Sequence, residues 1–268
     1  MTLPNQGLPG ALLGAGLPRM SRVRKAYQEN YRTKTIELDV SVAGEPGQFV
    51  MLWLPGLDEK PFSVRDIDPL AFTIASVGPF SRAAHELEAG DRIWFRGPYG
   101  RPFRLEGQDH VLVGGGYGVA PMLFLGRRAL ERGDRVRAVV GARDAKDLLL
   151  IDALRNAGIE TFETTDDGSV GTKGRVTAVI EPMMENDRPD ALYACGPHGM
   201  LDALASVCAA AKVPAQLSWE AYMRCGVGIC GSCEHESLLL CADGPVLRQD
   251  GSIGQSSANE SSLVNEIT

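Results

Sequence analysis

The 268-residue sequence has no apolar run long enough to cross a bilayer as a helix, which takes roughly 20 consecutive apolar residues. It has no basic run either, and its formal net charge is −7. Both lacks argue against a nucleic-acid ligand and against a polybasic contact with a membrane. The first 20 residues are broken by Pro4, Pro9 and Pro18 and lack a basic segment ahead of an apolar core. They read as a loose extension, not as a signal peptide. Histidine is scarce, and none of the four has metal-ligand spacing. No internal repeat is visible. Cysteine is rare outside one stretch: only Cys195 and Cys208 stand apart, a usage that fits a reducing cytoplasm better than a disulfide framework. The remainder is ordinary for a soluble globular chain, 44% hydrophobic and 23% charged, with room for two domains and a small appendage.

The other four cysteines are concentrated in Cys225-Gly226-Val227-Gly228-Ile229-Cys230-Gly231-Ser232-Cys233, with Cys241 following after seven residues. The C-x4-C-x2-C…C order is the plant-type 2Fe–2S pattern. Its glycines permit the positive φ angles and sulfur-facing N–H groups that a loop around clustered thiolates needs. A structural zinc site uses the same four ligands, although zinc ribbons usually pair them as C-x2-C, and disulfides are a third reading. His235 lies inside the loop, but the four thiols complete a ligand set without it. A one-electron centre needs donors and acceptors, which the rest of the chain should supply.

From Arg22 to Arg104 short alternating or apolar runs at 35–40, 49–54, 62–64, 70–77 and 92–95 are separated by Gly and Pro turns. They predict a small antiparallel β-barrel with one short helix over Arg82–Glu88. After Gly107 the rhythm changes to strands at 110–113, 136–140, 160–164, 191–194 and 216–219. Between them fall helices at about 121–132, 145–156, 175–185 and 197–211, with Asp144 placed to cap the second. That alternation predicts a parallel, doubly wound Rossmann-like sheet. The predicted architecture is an antiparallel β-barrel FAD domain, an α/β nucleotide domain and a small C-terminal cluster domain. The boundaries are an extension over 1–20, the barrel over 21–106, the α/β domain over 107–215, the cluster segment over 216–248, and a tail over 249–268 whose Ser, Asn and Gly content predicts disorder.

Four motifs point to nucleotide chemistry. Gly114, Gly115, Gly116 and Gly118 follow the apolar strand Val111-Leu112-Val113 and open a helix, which lets a pyrophosphate approach backbone at a helix N-terminus. The same turn also arises from tight packing alone. Cys195 and Gly196 end a strand in Tyr193-Ala194-Cys195-Gly196-Pro197, where sheets of this kind line their ligand crevice. Cys195 is read there as a contact beside a nicotinamide, not as a nucleophile, against the plainer reading of a small core residue; Cys208, mid-helix among alanines, is core. Asp166 and Asp167 would bond an adenosine 2′-OH and repel a 2′-phosphate, favouring NAD. Arg143 pulls the other way, and a solvated turn is the plain alternative. In the barrel, Lys60, Pro61, Phe62 and Ser63 combine a cation, an aromatic ring and a hydroxyl, the parts an FAD site needs. Val77, Gly78 and Ser81 lead into a helix start able to take a diphosphate, and Gly97 to Phe103, including Tyr99, closes the barrel toward the nucleotide domain.

Together these segments resemble the ferredoxin–NAD(P) reductase superfamily over about residues 20–248, and in particular the electron-transfer subunits of class 1B dihydroorotate dehydrogenases. The resemblance is carried by Thr165–Ser169 with Gly171–Gly174, by Tyr193–Pro197, by Met223–Cys230, and by Cys241-Ala242-Asp243-Gly244-Pro245-Val246. Two departures stand out. Lys60 occupies a position where the family has Arg, a point charge in place of a bidentate fork, and the gap from Cys233 to Cys241 is shorter than usual. The resemblance implies FAD in the barrel, NAD across the α/β domain, and a 2Fe–2S cluster held by Cys225, Cys230, Cys233 and Cys241. It further implies an FMN-containing dihydroorotate dehydrogenase catalytic subunit as partner, in a cytoplasmic heterotetramer with two copies of each chain. Electrons from dihydroorotate would pass through FMN, cluster and FAD to NAD+ in pyrimidine (UMP) synthesis, with no side chain required as acid or base. A carrier subunit of an NAD(P)H–ferredoxin transhydrogenase or of a hydrogenase would share these motifs and differ in its partner. A flavin-free zinc module on a degenerate reductase fold is a third reading, from another class.

Overall fold

The computed structural model describes residues 16–249. The predicted extension and tail fall mostly in 1–15 and 250–268, outside the described residues. The first sheet is built from β1 (Arg19–Asn30), β2 (Thr33–Leu38), β3 (Phe49–Leu54), β4 (Asp58–Ser63), β5 (Asp66–Ile67), β6 (Leu70–Ala75) and, after helix α1 (Pro79–His85), β7 (Arg92–Tyr99). Its strands are antiparallel in the order β4-β3-β7-β1-β2-β6-β5. β4 comes round to lie against β6, so the sheet coils into a barrel about Ile36, Leu52, Phe72, Ile93 and Phe95.

Two local expectations are corrected here. β1 is the central strand of this sheet yet escapes the pattern reading, because only Ser21 and Val23 of its twelve residues are buried. Pairing on both sides, with β7 and β2, recruits it. It begins at Arg19, inside the stretch assigned to the extension. Helix α1 starts three residues before the expected Arg82. Pro79 has a preset φ suited to a first turn, and the Ser81 hydroxyl accepts the N–H groups of Val77 and Gly78, each at 2.9 Å.

The second sheet begins with β8 (Asp109–Gly115), α2 (Val119–Glu131), β9 (Arg135–Ala142), α3 (Ile151–Asn156), β10 (Glu160–Thr165) and β11 (Thr172–Lys173). It continues through α4 (Thr177–Asn186), β12 (Ala191–Cys195), α5 (His198–Ala211) and β13 (Ala215–Ser218). The chain then makes a small hairpin of β14 (Glu234–His235) and β15 (Leu238–Leu239) and returns as β16 (Val246–Arg248). Strand order is β11-β10-β9-β8-β12-β13-β16, all parallel except β16. Strands covered on both faces bury nearly every side chain. Leu112 of β8 faces α2 and α3, while Val111 and Val113 face α4 and α5.

Helix α3 is shorter than its expected 145–156. Asp144 caps a turn instead of the helix, accepting the N–H groups of Lys146 and Asp147 at 3.0 Å each. The helix begins only after Leu150, whose φ of 59° interrupts it. Because β16 pairs with β13, residues 219–245 form an excursion between two strands of the α/β sheet. The excursion also leans on the barrel: Phe49 and Met51 of β3 pack with Met223, Cys233, Leu240 and Cys241. No helix among the described residues is long and apolar enough to cross a membrane.

Candidate functional site

A cavity of about 360 Å³ opens where barrel, α/β sheet and excursion meet. Lys60, Pro61, Phe62, Ser63, Val77, Gly78 and Ser81 line it from the barrel side, Gly118 and Cys195 from the sheet, and Trp219, Tyr222 and Met223 from the excursion. Phe62 stacks on Phe80 with ring centroids 5.7 Å apart. Apolar walls with a few placed polar groups suit a flat conjugated ring system such as a flavin. Two polar groups are already engaged. The Ser81 hydroxyl closes the turn into α1, so it is a cap and not a free phosphate contact. Lys60 pairs with Asp58 at 2.6 Å, and its Nζ lies 5.1 Å from the centre of the Tyr222 ring. Tyr99 is not part of the lining; its ring packs on Phe49. Cys195 is buried, and burial pushes its thiol up to about 12, which keeps it neutral and suits a contact role.

A second cleft of about 630 Å³ lies over the ends of β8 and β12. With the sheet ordered β10-β9-β8-β12-β13, these two strands flank the topological switch point, where open α/β sheets bind ligands. Gly115, Gly116, Gly196 and Asp166 line this cleft; Asp167 does not. The Asp167 carboxylate accepts the N–H and hydroxyl of Ser169 at 2.9 and 2.7 Å, closing its own turn. The glycine turn packs tightly at one position and stands open at another. At Gly118 a Cβ would stand 2.3 Å from the Cys195 carbonyl oxygen, so that glycine lets the turn after β8 pack on the turn after β12. Gly116 has open space before it. On the floor of the cleft, the Thr164 hydroxyl is fully buried without a hydrogen-bond partner, which a ligand's polar atoms would satisfy. The cleft therefore fits a dinucleotide.

The cavity and the cleft share two side chains, Tyr117 and Glu220. The Tyr117 hydroxyl donates to Glu220 Oε2 at 3.2 Å. Burial, then the Glu220 charge, push the tyrosine up to about 12. The pair stands where a ligand in one space would touch a ligand in the other.

The four loop cysteines are surrounded by backbone donors. Cys225 Sγ accepts from the N–H groups of Val227, Ile229 and Cys230 at 3.3–3.4 Å, Cys241 Sγ from Gly228 at 3.1 Å, and Cys233 Sγ from Cys241 at 3.4 Å. Gly226, Gly228 and Gly231 adopt φ of 70°, 77° and 73°, which turns those donors toward sulfur. Burial would raise the Cys225 thiol, but the three N–H groups bring it below its ordinary value. Ser232 pulls Cys230 down to about 6. Cys241, more buried, is pushed up to about 12, so its thiolate form needs a cation close by. The thiols contact one another in two pairs, Cys225 with Cys230 and Cys233 with Cys241. Among the described residues no three His, Cys, Asp or Glu side chains gather as ligands of one ion. The C-x4-C-x2-C order with a fourth Cys fits a two-iron cluster better than one tetrahedral zinc. The short gap before Cys241 is taken up by the tight β14–β15 hairpin.

Several lining residues carried no sequence signal. Tyr117 lay unremarked among the glycines. Glu220 sits two residues past a strand end and was open to the same rule that picked out Cys195. Arg32 and Thr164 had none. The histidines are engaged with protein: His110 is buried on Asp134 at 2.9 Å, and His235 lies against the Trp219 ring at 4.7 Å. Cys208 is in the α/β core.

Comparison with known proteins bears on most of the chain. Residues 112–206 match the family model of the oxidoreductase NAD-binding domain, and residues 220–251 that of the iron–sulfur cluster binding domain of dihydroorotate dehydrogenase B. The probable dihydroorotate dehydrogenase B (NAD(+)) electron transfer subunit of Methanopyrus kandleri is 43% identical over 85% of this chain and 89% of its own. The counterpart from Methanothermobacter thermautotrophicus is 42% identical over 86% and 88%. Among solved structures, an NADH-dependent reduced ferredoxin–NADP oxidoreductase studied for flavin-based electron bifurcation superposes with a TM-score of 0.78 at 26% identity, covering 87% of this chain and 89% of that one. A ferredoxin–NADP+ reductase from Neisseria gonorrhoeae, 17% identical over 72% and 91% with a TM-score of 0.61, shares the fold.

Proposed function

The chain belongs to the family of dihydroorotate dehydrogenase B electron-transfer subunits, and we propose from that membership that it carries electrons from a dihydroorotate-oxidising, FMN-containing catalytic partner through a 2Fe–2S cluster and FAD to NAD+. The cluster supplies one-electron chemistry, NAD takes a hydride, and a flavin exchanges both. The chain's own residues hold and separate these groups. In this reading Cys225, Cys230, Cys233 and Cys241 hold the cluster, and Lys60 to Ser63 with Val77 and Gly78 face the flavin. Gly115, Gly116, Gly196 and Asp166 face the dinucleotide, with Asp166 favouring NAD over a 2′-phosphate. Tyr117, Cys195 and Glu220 keep water from the junction. The division of labour follows as 21–106 for flavin, 107–215 for NAD and 216–248 for the cluster. We extend the proposal to a cytoplasmic heterotetramer with two copies of each subunit.

The observation that carries the reading is continuity. The wall of the barrel cavity runs through Tyr222 and Met223 directly into Cys225, and its other side opens through Tyr117 and Glu220 into the dinucleotide cleft. The test is an anaerobic visible spectrum of the purified chain before and after NADH or NADPH, followed by co-purification with the FMN subunit. Flavin and iron–sulfur bands that bleach with NADH, together with a stable complex that gains NAD-coupled dihydroorotate oxidation, are expected. A colourless zinc protein, or one that ignores the partner, overturns the proposal. The likeness to the bifurcating oxidoreductase supports a second reading, a transhydrogenase carrier subunit. A preference for NADPH and for a ferredoxin-reducing partner would select it.

A further inference from the structure

Of the described residues lining the dinucleotide cleft, Arg32 alone comes from the barrel. It sits at the turn between β1 and β2, far in sequence from every other lining residue. Three successive residues of that turn grip the segment between β9 and α3. The Asn30 amide donates to the Leu148 carbonyl at 3.5 Å, the Tyr31 hydroxyl donates to Asp147 Oδ1 at 2.7 Å, and the Arg32 guanidinium pairs with the same oxygen at 3.0 Å. The other Asp147 oxygen takes Nε and a terminal nitrogen of Arg143 at 2.7 and 2.6 Å. The Asp147 side chain is 3% exposed, Arg32 35% and Arg143 69%. All three side chains line the cleft, with the carboxylate nearly buried between the two more exposed guanidinium groups. Two guanidinium groups share this one carboxylate, and Arg175 lines the same cleft, as do Asp166 and Glu220.

We propose that Arg32 is a nucleotide-binding residue lent by the flavin-side barrel: its guanidinium closes the cleft on the diphosphate of the dinucleotide, with Tyr31 and Asp147 as positioning residues that hold it there. The inference rests on the NAD reading above. A guanidinium fork matches phosphate oxygens in charge and geometry. Asp166 in the same cleft makes a 2′-phosphate the poorer candidate for that charge. The consequence is that nucleotide affinity depends on the register between barrel and sheet, so the α/β domain by itself holds an incomplete site.

The test uses the full chain loaded with FAD and cluster, and follows NAD+ binding by calorimetry across a salt series. Removing one charge-assisted hydrogen bond to phosphate in Arg32→Ala should weaken NAD+ about tenfold and flatten the salt dependence. Arg32→Lys should recover part of the affinity and the steeper salt dependence. Tyr31→Phe should weaken binding by about threefold, less than Arg32→Ala, because it loosens Arg32 without removing it. Flavin absorbance reports that each variant has kept its junction. Arg32→Ala that binds NAD+ as the parent does overturns the inference. So does a loss with an unchanged salt slope, which is generic damage to the site. A parent chain that does not bind NAD+ overturns the NAD reading itself and the inference with it, so the two failures are told apart by the parent titration.

Discussion

Asp147 illustrates how one buried side chain joins two domains. Burial alone would raise its pKa, but the Tyr31 hydroxyl, Arg143 and Arg32 outweigh that and hold the carboxyl below its ordinary value. Asp144 is the other carboxylate near Arg143. A carboxylate with a depressed folded pKa contributes stability that is complete above its unfolded value, roughly 3.9, and is lost as pH falls through the folded one. The thermal midpoint of Asp147→Asn should therefore lie below that of the parent near neutrality, and the gap should close below about pH 4. Calorimetric scans down a pH series would read it, and a gap that widens on acidification would contradict the assignment. The same scale shows where residue identity runs out as a guide. Asp166 and Asp167 are chemically alike and adjacent, yet one lines the cleft and the other closes a turn on Ser169. Lys60 reads as a weakened phosphate ligand, and its pairing with Asp58 and Tyr222 is invisible without the fold.

The β14–β15 hairpin is the element most open to improvement. Its two turn residues, Glu236 and Ser237, have φ of 48° and 69°. A two-residue turn with both φ positive is the mirror-image type that Asn-Gly favours, and a side chain in that region costs roughly 1 kcal/mol or more per residue. Replacing the pair by Glu236→Asn and Ser237→Gly should raise stability by about 1 kcal/mol. The readout is a higher thermal midpoint of the cluster-loaded chain, and an unchanged or lower midpoint would refute it. The elements legible from pattern were those with strong periodicity or punctuation, such as the apolar β8 and β12 and helix α5, which follows Pro197. β1 and the shortened α3 were hidden for physical reasons. β1 is held by its neighbours' backbone and not by a buried face, and α3 is interrupted by one left-handed residue, Leu150.

At the scale of the molecule, the cluster loop presents its outer surface to solvent. Ile229 is 83% exposed, with Tyr222 at 58% and Val227 at 40% on the same excursion. Exposed apolar groups gathered beside a redox loop suit a partner surface. Ile229→Asp should weaken co-purification with the FMN subunit while the flavin and cluster bands and their bleaching by NADH persist; an undiminished complex would remove Ile229 from the interface. The amino-acid sequence by itself determined the close spacing of four cysteines, the barrel-then-α/β order and the glycine turn after β8. Each of these is written in consecutive residues, and local backbone geometry follows from local composition. The tertiary structure alone decided that the cluster segment is an excursion between β13 and β16, that Tyr117 and Glu220 stand between two ligand spaces, and that Arg32 crosses from the barrel into the cleft. Those placements join residues separated by tens to hundreds of positions, and only the packing of one domain on another brings them together.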